Sequence, residues 1–147
     1  MNKQNNNKTD FIPSFKLNSD EDTILHIASE NNNINFEILE LLFEYNCDPM
    51  KTNIIDYAPF HKIFRNKKNS MKIIDLFMKN GSEKNATSAF FSAENPIFDP
   101  QIMDFILPQD VNVVDTNGTN ILETYYFEDL NKLNINVFKY FVEKGQK

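Results

Sequence analysis

One arrangement of apolar and polar positions recurs four times along the chain: Ile38-Leu39-Glu40-Leu41-Leu42-Phe43, Ile73-Ile74-Asp75-Leu76-Phe77-Met78, Ile102-Met103-Asp104-Phe105-Ile106-Leu107 and Val137-Phe138-Lys139-Tyr140-Phe141-Val142. Each copy is two apolar residues, one charge and three further apolar residues. At about 100° per residue the five apolar side chains span roughly 200° of a helix surface. A helix apolar over so much of its girth has to be covered on several sides. The pattern therefore predicts helices held between neighbouring units of a stack, with only the charged third residue facing water. Leu41 falls among the covered positions, so a charge there, as in Leu41→Asp, is expected to unfold the array.

The starts of these helices are marked as well. Three residues before the copies stand Asn35, Ser70, Asp99 and Asn134, whose side chains can accept a hydrogen bond from the unpaired amides of a first turn. Pro100 follows the third cap, where its missing N–H costs nothing. Successive copies begin 35, 29 and 35 residues apart, and a period of that length signals an internal repeat and an all-α solenoid.

A second element lies upstream of each wide-striped helix. The first unit reads Thr23-Ile24-Leu25-His26-Ile27-Ala28, a helix start with threonine as cap. It resembles the ankyrin repeat, whose signature is Thr-Pro-Leu-His-x-Ala after a turn and before two antiparallel helices. Ala58-Pro59-Phe60-His61-Lys62-Ile63 keeps the proline and histidine. Ser88-Ala89-Phe90-Phe91-Ser92-Ala93 keeps only the small and apolar pattern, and Asn120-Ile121-Leu122-Glu123-Thr124-Tyr125 follows the turn-like Asp115-Thr116-Asn117-Gly118. Where the family usually has Gly-Ala-Asp-x-Asn, this chain offers Asn46-Cys47-Asp48-Pro49-Met50, Gly81-Ser82-Glu83-Lys84-Asn85, Gln109-Asp110-Val111-Asn112 and a bare Gly145. Gly or Asn at the first of these positions suits a left-handed helix end.

The resemblance covers residues 18 to 147 and implies an all-α, ankyrin-type helical-hairpin solenoid with short finger loops. Its units run approximately over 18–50, 53–85, 86–112 and 115–147, the last two degenerate. Residues 1–10 are polar and aperiodic, which predicts a disordered arm. Phe11, Ile12, Phe15 and Leu17 are expected to fold back over the exposed face of the first repeat. Extra residues around 31–35, 67–70 and 128–133 lengthen helix–helix turns, and Pro108 ends the third unit abruptly. The sequence stops soon after Gly145, which leaves two expectations: Val137, Phe138 and Phe141 form a tolerated cap, or the chain is a piece of a longer array.

Composition narrows the function. The chain has 147 residues, 41% hydrophobic and 24% charged, as expected of a globular domain. The net charge of -6 argues against binding nucleic acid or anionic membranes, and no apolar run is long enough to span a bilayer. The single cysteine, Cys47, excludes an internal disulfide framework and fits a reducing compartment. With no secretion signal, the expected location is the cytoplasm or nucleus. Lysine outnumbers arginine fourteen to one and asparagine is abundant; we read this as a mark of A+T-rich coding sequence and give the asparagines no functional weight.

Catalytic candidates are few. By the resemblance, His26 and His61 hydrogen-bond backbone between neighbouring units rather than catalyse. Cys47 reads as a small buried filler. Asp20-Glu21-Asp22 reads as a solvated cluster favouring the following helix start. Lys62, Arg65, Lys67, Lys68 and Lys72 form the one basic cluster, read as a solvated helix face. No metal-ligand spacing, phosphate loop or nucleophile elbow is present, so the sequence points to no enzyme activity, no metal and no cofactor.

The function expected is binding of a protein partner by a monomer, the alternative being a structural spacer or fragment of a larger ankyrin-repeat protein. In the ankyrin family the partner surface is the concave side, made of finger tips and outer first-helix residues. Carried onto this chain it includes Asp22, Glu30, Asn31, Ile54, Ile55, Tyr57, Arg65, Asn66, Lys84, Thr87 and Phe127. Ile54, Ile55 and Tyr57 stand out, because they place three apolar side chains where such a finger normally meets water.

Overall fold

A computed structural model describes residues 15–127 and 134–145, the side chain of Phe127 excepted. These residues form eight helices and no strand: α1 Ile24–Glu30, α2 Phe36–Glu44, α3 Pro59–Arg65, α4 Met71–Lys79, α5 Ala86–Glu94, α6 Pro100–Ile106, α7 Ile121–Phe127 and α8 Ile135–Glu143. The expected arm at 1–10, Phe11, Ile12 and the insertion at 128–133 lie outside the described residues.

Capping explains where the second helix of each pair begins. The side chains of Asn35, Ser70, Asp99 and Asn134 each accept a first-turn amide, from Ile38, Ser70's partner Ile73, Gln101 and Asn136 respectively. Asp99 also accepts from Ile102, and Pro100 occupies the first helical position. Helix ends follow the expected chemistry too. Asn46 (φ 59°), Gly81 (φ 94°) and Gly145 (φ 90°) are left-handed just beyond α2, α4 and α8, whereas α6 stops at Leu107 before Pro108 with no left-handed residue. One start differs from the sequence reading. α5 is capped by Asn85, which accepts from Ser88 N at 3.2 Å, so Ser88 lies inside the helix.

The chain divides into two compact units, 1–83 and 84–147. In the first, α1 packs on α2 and α3, and α3 on α4. Leu25, Leu39, Phe60, Ile63, Phe64, Ile74 and Phe77 are fully buried between them. Phe77 meets Phe43 edge-on at 5.0 Å and Phe60 at 6.0 Å. In the second unit α5 packs on α6 and α7, over a core of Ala89, Phe91, Ile102, Met103, Ile106, Ile121 and Phe141. There Phe98 brings together the rings of Tyr125, Tyr140 and Phe141 at 5.3–5.9 Å. The Tyr140 hydroxyl donates to Asp104 at 2.7 Å, and Lys144 pairs with the same carboxylate at 2.6 Å.

The expectation of an all-round covered stripe needs correction at two of the four copies. In α4 and α6 every apolar member of the phrase is buried or half-buried. In α2, however, Ile38 and Leu41 are 51% and 49% exposed, and in α8 Phe138 and Val142 are exposed. The reason is one-sided packing. Leu39, Leu42 and Phe43 turn into the unit, and the opposite side of α2 is left open to solvent. Leu41 is therefore outside the core. Val137 and Phe141 of α8, for which a missing neighbour was considered, are buried. Phe15 and Leu17, expected to cover the first repeat, are exposed.

Candidate functional site

The site is built from a turn that the chain uses three times. Asn18, Asn53 and Asp115 each stand five residues before the residue that precedes α1, α3 and α7. In each case the side-chain oxygen accepts the amides two and four residues on. Asn18 accepts from Asp20 and Asp22, Asn53 from Ile55 and Tyr57, and Asp115 from Asn117 and Thr119, all at 2.8–3.1 Å. The third residue after it is left-handed: Glu21 (φ 59°), Asp56 (φ 59°) and Gly118 (φ 78°). That conformation costs a non-glycine residue about 1 kcal/mol, so the side-chain bonds are needed to hold the first two turns. The Thr119 and Asn117 amides also keep the Asp115 carboxyl below its ordinary range. An Asn or Asp at this spacing is visible in the sequence, where Asp115 stands in a turn-like segment but Asn18 and Asn53 carry no such mark.

In the first unit two such turns are bolted side by side. Ile54 N donates to Asp20 O at 3.1 Å, and Asn53 Nδ2 donates to Asp22 Oδ1 at 2.8 Å. Asp22 is buried to 1% exposure. Its Oδ2 accepts from Asn18 at 2.9 Å and from the Lys62 ammonium at 2.8 Å. Lys62, itself buried, also donates to Glu30 at 3.0 Å. Burial alone would raise the Asp22 pKa, but Lys62, Asn18 and Asn53 outweigh it and hold the carboxyl below the usual range. Burial likewise works against the Lys62 ammonium, but its bonds to Asp22 and Glu30 prevail and raise its pKa. Both residues were read from sequence as solvated; the pairing across 40 positions is what the sequence could not display.

His26 completes the joint. Its Nδ1 lies 3.0 Å from Thr23 N and 2.8 Å from Thr23 Oγ1, and its Nε2 lies 2.9 Å from Tyr57 O. A neutral ring with the proton on Nε2 satisfies all three contacts, accepting at Nδ1 and donating to the carbonyl. Burial accordingly lowers the His26 pKa, against the pull of the Tyr57 carbonyl. His61 repeats the local half of this arrangement, accepting from Ala58 N at 3.1 Å. Asn66, at the end of α3, donates to Ser29 O and Asn31 O at 2.9 and 2.8 Å and accepts from Lys68 N. Asn31 and Asn95 accept the amide two residues on in the same way. The asparagines to which composition gave no weight thus close the turns of this structure.

Two apolar side chains stand out from the bolted turns. Ile54 is 60% exposed and Ile55 47%, on backbone whose amides are already committed. Tyr57 beside them is half-buried. Glu30 of α1 is exposed and shares a helix face with Ile27, three residues before it and also exposed, while Asn31, exposed as well, is the extended residue that ends α1. Lys62 and Arg65 lie on α3 and Asn66 just beyond it; Arg65 is half-buried and Asn66 buried. Asp22 and Asn66 therefore differ from the exposed placement expected of them, since their polar atoms are spent on holding the turns and α1.

The remaining sequence candidates belong to the second unit. Lys84 is exposed, donates to Phe105 O at 2.9 Å and lies 4.9 Å from the Phe105 ring centre. Thr87 is half-buried on α5, and the Phe127 side chain lies outside the described residues. Cys47 is buried, and burial pushes its thiol pKa up. Among the described residues no group of three His, Cys, Asp or Glu side chains is placed to hold a metal ion, and no helix is long and apolar enough to cross a membrane. A scan against protein-family models gave no match, and neither did a search of curated proteins.

Proposed function

We propose that the chain is a non-catalytic, ankyrin-type interaction module that binds a protein partner, as a monomer and without a cofactor, through the turn tips and first-helix face of its first unit. Capped helix pairs, the histidine bonded to the neighbouring turn and the recurring turn itself support that fold reading. The cytoplasm or nucleus is the compartment we propose, in keeping with the single buried thiol.

The observation that carries the binding proposal is the exposure of Ile54 and Ile55 on a turn held by Asn53, Asp22 and Asp20. Apolar groups on backbone that is already ordered can be buried by a partner with little further loss of conformational freedom. Ile27, Tyr57 and Arg65 widen the contact, and Glu30 gives it a charged edge. Affinity capture from native lysate tests this, using the parent chain beside an Ile54→Ser, Ile55→Ser variant of equal thermal stability. The expected result is a protein retained by the parent and lost by the variant. Identical captures, or none, would argue against this surface.

A further inference from the structure

A different face of the first unit, the exposed side of α2, has its own pattern of charge and apolar surface. Along α2, Glu37, Glu40 and Glu44 recur at intervals of three and four residues and form one exposed carboxylate row. None of the three has an ionic or hydrogen-bonding partner among the described residues. Beside that row runs an apolar one, Ile38 and Leu41, with the half-buried Tyr45 at the next turn. On the opposite flank of the carboxylates an open groove of about 370 Å³ lies between α2 and α4, lined by Glu40, Phe43, Glu44, Leu76 and Asn80. Lys72 of α4 sits over the Phe36 ring of α2 at 3.9 Å. Lys79 and Asp75 on α4 are exposed and of opposite charge.

We propose that this face docks a basic amphipathic helix of another protein. A helix laid along α2 would have lysine or arginine residues at matching intervals against the three carboxylates. It would also seat an apolar side chain on Phe43 and Leu76 and cover Ile38 and Leu41. Charge selects the occupant: a second copy of α2 would set carboxylate row against carboxylate row, which like-charge repulsion opposes. The length of α2, nine residues, or about 13 Å, matches two to three turns of a bound helix.

The test is fluorescence anisotropy with a labelled synthetic peptide of about fourteen residues, lysines along the centre of one helical face and leucines flanking them. A scrambled peptide of the same composition controls for net charge. The expected result is saturable binding of the patterned peptide that weakens as salt rises and is at least roughly tenfold weaker for the scrambled one. Glu40→Lys with Glu44→Lys, and separately Leu41→Ser, should each reduce binding by a similar factor while leaving the melting temperature unchanged. The Ile54→Ser, Ile55→Ser variant should bind the peptide like the parent, which separates this site from the turn surface. No saturable binding, or equal binding of both peptides, would overturn the proposal. So would sedimentation showing that Leu41→Ser turns a dimer into a monomer, because the face would then be covered by a second copy.

Discussion

His26 of α1 donates from Nε2 to the carbonyl of Tyr57, 31 residues away, at 2.9 Å. The same ring accepts the amide that starts its own helix, Thr23 N, at 3.0 Å. One imidazole thus fixes a helix start to the neighbouring turn that displays Ile54 and Ile55. Replacing it removes bonds at both ends and leaves buried polar groups unpaired. His26→Ala is expected to lower stability by about 2–3 kcal/mol, read as a shift in urea midpoint at unchanged slope.

The protonation state of that ring sets the mildly acidic behaviour. Its folded-state pKa lies below the ordinary 6.5, so on acidification the unfolded chain takes up the proton first. Stability therefore falls as pH drops below 6.5 and goes on falling until the folded-state pKa is passed. Asp22 adds a second loss below 3.8, as pH falls towards its lowered folded-state value. Lys62, whose pKa is raised, has the opposite sign, and its contribution declines as pH rises above 10.5. Urea titrations across this range should show an acid limb that is flattened just below 6.5 in His26→Gln.

Among the described residues Lys62 is the only cation bonded to buried Asp22. Removing it leaves a carboxylate out of water without its counter-charge, and Lys62→Met is expected to cost about 3–5 kcal/mol. Adding Asp22→Asn should recover part of that loss, because a neutral amide does not need the ammonium. A double-mutant cycle by chemical denaturation checks both values, and strictly additive losses would mean that the two groups do not interact.

The phrase that defines the repeat located all four second helices and their caps, because capping and periodicity are local. It did not report which side of α2 or α8 would lack a neighbour, since burial depends on packing partners remote in sequence. The consequence is measurable. Leu41→Asp, on the exposed side, should change stability by less than about 1 kcal/mol, whereas Leu39→Asp, one position in the fully buried row, should unfold the chain. Thermal melts by circular dichroism distinguish the two outcomes.

The candidate site was legible in part. Ile54, Ile55 and Tyr57 stood out as three apolar side chains in a turn expected to meet water; Ile54 and Ile55 are exposed and Tyr57 is half-buried. Asp22 and Asn66 looked equally available, yet the structure uses them as internal fastenings, Asp22 to Lys62 and Asn53, and Asn66 to the end of α1. Bonds between residues 31 to 40 positions apart leave no trace in local pattern. The turn-forming role of Asn18 and Asn53 did leave one, a fixed spacing to the next helix, obscured by how common asparagine is in this chain.

The most direct test of the binding account is carbon-13 methyl NMR of isoleucine-labelled protein, titrated with the protein captured by the parent chain. Resonances of Ile54 and Ile55, with Ile27 beside them, should shift or broaden first, while those of the buried Ile63 and Ile74 stay in place. Changes confined to Ile38 or Ile97, with Ile54 and Ile55 unaffected, would contradict it.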